Sequence, residues 1–231
     1  MKSFIGLSKA KRERFQIELR KEQNNKIFRK ARQRFIKAKQ KIVCLDIKDY
    51  NIYFRYKRDE LLAGIKEKDE DKLVGTLQNL RVLFSIDEEF NTLPIKEFFD
   101  SEMFFVIKQL YTHQFFKNHE IIEESMWIIS VLSNAGTEYL EFMEENNLMQ
   151  MIKSCIGLES DQLLDSLITT VSNMIIDSYD FKPIFEEMHI IQDLLEHSAK
   201  KIESNIIHES LSLLISNSFI EEPYYSKEIV S

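Results

Sequence analysis

The sequence offers few residues whose type and spacing would support catalysis. Its five glycines are scattered, so they form no Gly-rich loop that could hold a phosphate group. Its five histidines share no metal-ligand spacing with one another or with the two cysteines, Cys44 and Cys155. Acidic pairs such as Glu123–Glu124 are typical of solvated helix faces. We therefore expect a protein that is not an enzyme and that needs no cofactor or metal.

The two cysteines also indicate the cellular environment. They are isolated from each other in sequence and form no disulfide framework, so we expect a reducing compartment. Cys155 is interpreted as a small core residue, which is the usual place of a free cysteine. No apolar run approaches the roughly 18 residues that a membrane span needs, so no membrane partner is expected.

Charge is divided unevenly along the chain. Residues 1–41 carry fifteen Lys or Arg and three Glu, a net charge of +12, and the remaining 190 residues carry a net charge of −19. Such asymmetry predicts a separate partner for each sign of charge, or contact between the two parts of the chain. The basic segment alone would also suit nucleic acid or an anionic surface. The acidic remainder argues against direct nucleic-acid binding.

Helices are predicted along most of the chain. Residues 9–41 contain good helix formers but no continuous apolar stripe, so we expect them to become ordered chiefly on binding a partner. Residues 42–56 are interpreted as a linker or a short packed segment. Four longer helices are predicted near 70–85, 120–134, 161–176 and 206–219. Shorter helical stretches are predicted before them, over 58–66, 95–112, 138–156 and 180–197.

The apolar patterns of the four longer helices align with one another. The alignment places Gln78, Trp127, Thr169 and Leu213 at equivalent positions, 49, 42 and 44 residues apart. Units of this length with two or three helices are typical of armadillo or HEAT repeats. Each unit would bury its apolar face by stacking on its neighbours. An irregular helical bundle is the alternative, because periodicity alone does not set topology.

The basic segment resembles a known binding motif. The stretch KAKRERFQIELRKEQNNKIFRKARQRF has an E-L-R-K run between two basic clusters, which is similar to the importin-β-binding segment of the importin-α family. The matching residues are Lys9, Lys11, Arg12, Arg14, Glu18, Leu19, Arg20, Lys21, Arg29, Lys30 and Arg32. In that family the segment is a helix held by the acidic inner face of importin-β. The resemblance therefore implies an importin-β-like carrier as a partner, and a basic rod suits an acidic concave surface.

The rest of the chain resembles the armadillo repeats of the same family. Residues 58–89, 123–152 and 163–195 are similar to the first repeat, to the second with the start of the third, and to the third with the start of the fourth. Importin-α binds a basic peptide through a W-x-x-x-N array, in which Trp rings hold Lys and Arg stems and Asn side chains hold the peptide backbone. The resemblance implies that the residues binding the cargo signal are Trp127, Asn173, Asp177 and Asn217.

The array is only partly present. Val131 stands where the resemblance implies an Asn, and Thr169 and Leu213 stand where it implies Trp. Each lost cation–π contact should weaken the binding of a basic side chain by roughly 0.5–2 kcal/mol. Gly136–Thr137 is similar to a Gly-Thr pair of the family, although one residue out of register. Trp127 is alternatively a core residue, and the two asparagines are alternatively exposed residues without a task.

The resemblance implies an all-α protein in which a basic helical arm precedes a right-handed superhelical solenoid. Residues 1–50 would be the importin-β-binding-like arm and linker, and 51–231 about four armadillo repeats. The implied function is a nuclear import adaptor in the cytoplasm and nucleus, which binds a basic nuclear localisation signal on cargo and links it to the carrier. The alternative is an armadillo-repeat scaffold that has lost the ability to bind cargo signals.

Overall fold

The computed structural model describes residues 47, 49–86, 94–112, 115, 117–178, 180–201 and 205–218. The importin-β-binding positions predicted between Lys9 and Arg32 lie outside these residues. Within them the protein consists of eleven helices and no strand, which confirms the predicted all-α class. None of these helices is both long enough and apolar enough to cross a membrane.

The helices are numbered here in chain order. They are α1 Tyr50–Glu67, α2 Glu70–Ile86, α3 Ile95–Asp100, α4 Met103–Gln109, α5 His119–Leu132, α6 Thr137–Glu145, α7 Leu148–Cys155, α8 Asp161–Asp177, α9 Phe181–Glu187, α10 Ile190–Ala199 and α11 Asn205–Ser218.

The four predicted longer helices are confirmed as α2, α5, α8 and α11, with ends within two residues of the predicted ones. Side-chain caps explain where two of them begin. The Asn118 side-chain carbonyl accepts hydrogen bonds from the backbone of Glu120 and Ile121 at the start of α5, at 3.1 and 3.3 Å. Ser160 accepts one from the backbone of Leu163 at the start of α8, at 3.2 Å. Such caps satisfy donors that the first turn of a helix leaves unpaired.

The first helix begins earlier than the sequence indicates. The stretch predicted as helical over 58–66 is the second half of α1, so residues 50–56 belong to a packed helix, the second of the two alternatives, and are not a linker. Asp49 caps the helix by accepting a hydrogen bond from the backbone of Ile52 at 3.1 Å. Phe54 is fully buried, and its ring lies 6.1 Å from that of Phe84 and 5.5 Å from that of Phe98. This aromatic packing holds the early turns of α1 against the next two helices.

The four long helices pack against one another in chain order. The three most extensive helix contacts are those of α2 with α5, α5 with α8 and α8 with α11. The contact of α1 with α2 ranks next. Two short helices precede each of α5, α8 and α11, so a unit of two short helices and one long helix occurs three times. α1 and α2 stand before these units and pack together.

The two short helices of each unit meet at a left-handed residue. Glu102, Asn147 and His189 have φ angles of 62°, 73° and 56° and occupy the same place between the two short helices, 45 and 42 residues apart. Left-handed backbone is unfavourable for residues other than Gly, so its recurrence at one place indicates a common local geometry. Each of these residues is followed directly by a fully buried apolar residue, namely Met103, Leu148 and Ile190.

Helix α8 is the most enclosed long helix. Residues 166–176 are all buried, including its Ser, Thr and Asn side chains. A helix that is buried all round must have neighbours on several sides. α8 contacts α5 and α11 on two sides, and its own short helices α6 and α7 as well as α9 and α10 pack on it too.

Candidate functional site

Trp127, the predicted slot for a basic side chain, already has a guanidinium group on its face. The guanidinium carbon of Arg81 lies 4.7 Å from the centroid of the Trp127 ring, within cation–π distance. Arg81 comes from α2 and Trp127 from α5, so the contact joins two consecutive long helices. Trp127 is partly buried and packs against the core, so it is both a core residue and the partner of a cation.

The same arginine is paired with a carboxylate on α5. Nη1 of Arg81 donates to both carboxylate oxygens of Glu124, at 3.0 and 2.9 Å. The two side chains are only 13% and 11% exposed. Burial raises the pKa of Glu124 above its usual value, and the opposing effect of Arg81 does not cancel it. The carboxylate therefore depends strongly on its cation, because a buried charge without a partner is costly.

A further polar contact lies on the same pair of helices. The side-chain amide of Gln78 donates to Glu120 at 3.1 Å. Gln78 is the residue that the sequence alignment places level with Trp127, and it is partly buried. The α2–α5 interface thus has Gln78 and Arg81 on one helix and Glu120 and Glu124 on the other. This arrangement can hold cationic or amide groups, but it contains no nucleophile with an adjacent base.

Asn173, predicted to hold a peptide backbone, binds a neighbouring helix of its own chain. Its side chain is 4% exposed. Its amide nitrogen donates to the hydroxyl of Ser133 at 2.9 Å and lies 3.5 Å from the carbonyl oxygen of Ser130. Asn173 therefore links α8 to α5. An incoming peptide would have to take over these hydrogen bonds to use this amide nitrogen.

Asn217 is placed differently from Asn173. It is 2% exposed, and its amide nitrogen has no hydrogen-bond partner among the described residues. The hydroxyl of Ser172 on α8, the helix against which α11 packs, is also buried without a partner there. Unpaired buried donors are costly, so this part of the α8–α11 interface would gain from a polar partner.

Asp177 lies at the end of α8, where it is partly exposed. Its carboxylate accepts a hydrogen bond from the hydroxyl of Thr137 at 3.3 Å. Thr137 is the first residue of α6 and belongs to the Gly-Thr pair noted in the sequence. Gly136 precedes it with a φ of 119°, a conformation that favours glycine. The structure thus brings together two features that the resemblance pointed out separately.

The positions where the array departs from the family pattern are mostly buried. Val131 is fully buried, Thr169 is 8% exposed and Leu213 is partly buried. Of the predicted site residues, Trp127 and Asp177 are partly accessible, and the two asparagines are enclosed between helices. The four predicted residues are carried by three consecutive long helices, α5, α8 and α11.

The sequence analysis missed Arg81 as the partner of Trp127 and Glu124 as the partner of Arg81. The signal that could have found the pair is their separation of 43 residues, close to the repeat length. Other contacts between units have similar separations. Asn173 and Ser133, Lys201 and Asp161, and Lys153 and Asp193 are each 40 residues apart.

Cys155 is 1% exposed, which confirms its interpretation as a core residue. Burial raises the pKa of its thiol to about 12, so it is protonated and unreactive at neutral pH. Cys44 lies outside the described residues. Within the part of the chain that the structure describes, no group of three or more His, Cys, Asp or Glu side chains could hold a metal ion.

Known proteins offer no further guidance to the site. No protein-family model matches the chain, and no curated protein matches it closely enough to count as a relative. The candidate site residues are therefore chosen from the geometry of the long-helix interfaces, and they are Arg81, Glu124 and Trp127.

Proposed function

We propose that the chain is a nuclear import adaptor built on an armadillo-repeat, right-handed superhelical solenoid. The observation that carries the proposal is the serial packing of α2, α5, α8 and α11, each long helix on the next. Serial packing of equivalent helices favours a repeat stack over an irregular bundle, because each unit contacts its neighbours in the same way. The recurring left-handed residue between the short helices supports the same view.

Charge supports the choice of partners. The acidic body, with its net charge of −19 over 190 residues, would bind a positively charged cargo signal. The basic arm would bind the acidic surface of an importin-β-like carrier, as its resemblance implies. The adaptor would work in the cytoplasm and nucleus, where both partners meet.

The proposed cargo site follows the long helices in chain order. Trp127 would hold the aliphatic stem of one basic residue, and Asp177 would receive the charge of a separate lysine of the signal. The amide nitrogen of Asn217 is buried between α8 and α11, so it would donate to a carbonyl oxygen of the peptide only after these helices separate locally. Asn173 would contribute only after its hydrogen bond to Ser133 is exchanged. The proposal thus predicts a weaker and more selective groove than a complete Trp/Asn array would give.

The adaptor proposal is tested by binding to importin-β. The full chain should bind immobilised importin-β, and changing Lys9, Lys11, Arg12 and Arg14 to Glu should abolish binding, because four attractive charges become repulsive. The matched control changes Arg34, Lys37, Lys39 and Lys41 to Glu, which alters the net charge equally but spares the motif. Equal losses in both variants would indicate a general charge effect, and no binding by the unchanged chain would reject the adaptor function.

An armadillo-repeat scaffold is the second candidate, and one observation favours it. Arg81 covers the face of Trp127, and the amide nitrogen of Asn173 is engaged by Ser133, so two of the four predicted cargo contacts are used within the chain. A scaffold would need the stack of helices but neither the importin-β contact nor a basic peptide. Titration of a lysine-rich and arginine-rich signal peptide separates the two, because the scaffold would not bind it.

A further inference from the structure

Arg81 and Glu124 are exceptions within the series of long helices. With Gln78, Trp127, Thr169 and Leu213 aligned, the position of Arg81 is occupied by Ser130, Ser172 and Ser216 in the other three helices. The position of Glu124 is occupied by Gly75, Ser166 and Ser210. Small residues therefore occur at both positions, except where an arginine and a glutamate meet beside the single tryptophan of the chain.

The three side chains have the arrangement of a guanidinium-binding site. The guanidinium carbon of Arg81 lies over the Trp127 ring, and one guanidinium nitrogen, Nη1, donates to both carboxylate oxygens of Glu124. The contact with the aromatic face suits the planar, weakly hydrated guanidinium group better than the compact, strongly hydrated ammonium of lysine. Arg81 and Glu124 keep some exposure, so the site borders on solvent and is not sealed in the core.

We propose that Trp127 and Glu124 form an arginine-selective subsite, and that Arg81 is a tethered competitor which a partner's arginine side chain must displace. Exchange of one guanidinium for another keeps Glu124 paired, and the displaced Arg81 side chain would move into the solvent that it already borders. A tethered occupant is present at a high effective concentration and lowers the apparent affinity for any external ligand. The inference deepens the proposed function by naming arginine as the side chain selected at this unit.

The test uses Arg81→Ser in the full chain, because serine occupies this position in the other long helices. Trp127 is the only tryptophan, so its fluorescence reports on this site alone. N-acetyl-arginine amide and N-acetyl-lysine amide serve as the probes. The titration is run at about 0.3 M NaCl, so that long-range attraction between the basic arm and the body is screened.

Arg81→Ser should bind the arginine probe about tenfold or more tightly than the wild type does, because its competitor is gone. The lysine probe should bind this variant about tenfold less tightly than the arginine probe, since it cannot form the planar contacts. Adding Glu124→Gln to Arg81→Ser should remove the preference for arginine. Lys201→Ser is the matched control, since it removes the cation of another ion pair between units, with Asp161, and should behave as the wild type.

Two results would overturn the inference: no saturable response of Arg81→Ser, or equal responses to both probes. If Arg81→Ser does not fold, Arg81→Lys takes its place and should show a smaller gain with the same order of probes. Loss of that order would overturn the inference as well. Neither importin-β nor cargo is present in this experiment, so its outcome does not depend on the importin-β binding test. The arginine subsite can be rejected while the adaptor function stands, and the adaptor function can be rejected while the subsite stands.

Discussion

At the scale of single residues, two asparagines in equivalent positions have different surroundings. Asn173 donates to Ser133, and Asn217 has an amide nitrogen without a partner among the described residues. The first asparagine stabilises the packing of α5 and α8, and the second is buried at the α8–α11 interface without the corresponding hydrogen bond. The net contribution of a hydrogen bond depends on whether its partner is left unpaired, so the two residues should differ in measured stability.

Asn173→Ala should lower the free energy of unfolding by about 1–3 kcal/mol, because it removes a buried hydrogen bond. Asn217→Ala is the matched control. Its loss in the free energy of unfolding should be smaller than that of Asn173→Ala by at least about 0.5 kcal/mol, since no hydrogen bond of its amide nitrogen is lost. Urea denaturation of both variants measures the difference. Equal losses would contradict the assignment of Asn173 as the link between α5 and α8.

The sequence predicted the positions of these residues but not their partners. Trp127 and the asparagines were assigned by resemblance to the W-x-x-x-N pattern of importin-α, and they lie on three different helices. Arg81 is 46 residues earlier in the chain than Trp127, and nothing in the local pattern of either helix predicts that the two side chains meet. Contacts between helices depend on register and side-chain direction, which a single sequence does not reveal.

At the scale of the helices, the close approach of α1 and α2 depends on a glycine. A Cβ atom placed on Gly64 would lie 2.8 Å from Cδ2 and 2.9 Å from Cγ of Leu73. Both distances are shorter than real contacts allow, and Leu73 is fully buried. Gly75 in α2 has open space around the same position. Gly64 is therefore required by the packing of α1 against α2. At Gly75 only the general preference of helices for alanine over glycine matters.

Gly64→Ala should destabilise the protein by about 1–3 kcal/mol, the usual cost of forcing extra volume into a packed interface. Gly75→Ala should stabilise it by up to about 1 kcal/mol, because alanine is the better helix former. Thermal and urea unfolding measure both effects. A stabilising Gly64→Ala would mean that α1 and α2 do not pack as closely as the structure has them.

The helices themselves were largely predictable, and the exceptions have physical reasons. The long helices follow from their apolar periodicity and were placed to within two residues. The first turns of α1 were not predicted, because Phe54 is held by aromatic contacts with Phe84 and Phe98 of other helices and not by a clear local pattern. The left-handed residues were also hard to predict, since Glu has no preference for this conformation and Asn and His adopt it only occasionally.

At the scale of the whole molecule, stability should vary along the stack. α8 is enclosed by neighbours, and α11 is the last long helix among the described residues. In a stack held by neighbour contacts, a central unit opens less readily than one with fewer contacts. Amide hydrogen exchange should therefore be slowest over residues 166–176 and faster over α11. Equal protection of α8 and α11 would contradict stepwise opening and indicate a single cooperative unit.

The left-handed residues between the short helices have a wider consequence. A glutamate, an asparagine and a histidine all adopt the same bend, so the bend is carried by the backbone and its buried neighbours and not by any one side chain. Mutation can exchange the residue at that point while the path of the chain stays the same. The backbone geometry can therefore persist after sequence similarity is lost. The evolutionary relationships of such a protein are better traced by comparing backbone dihedral angles than by comparing sequences.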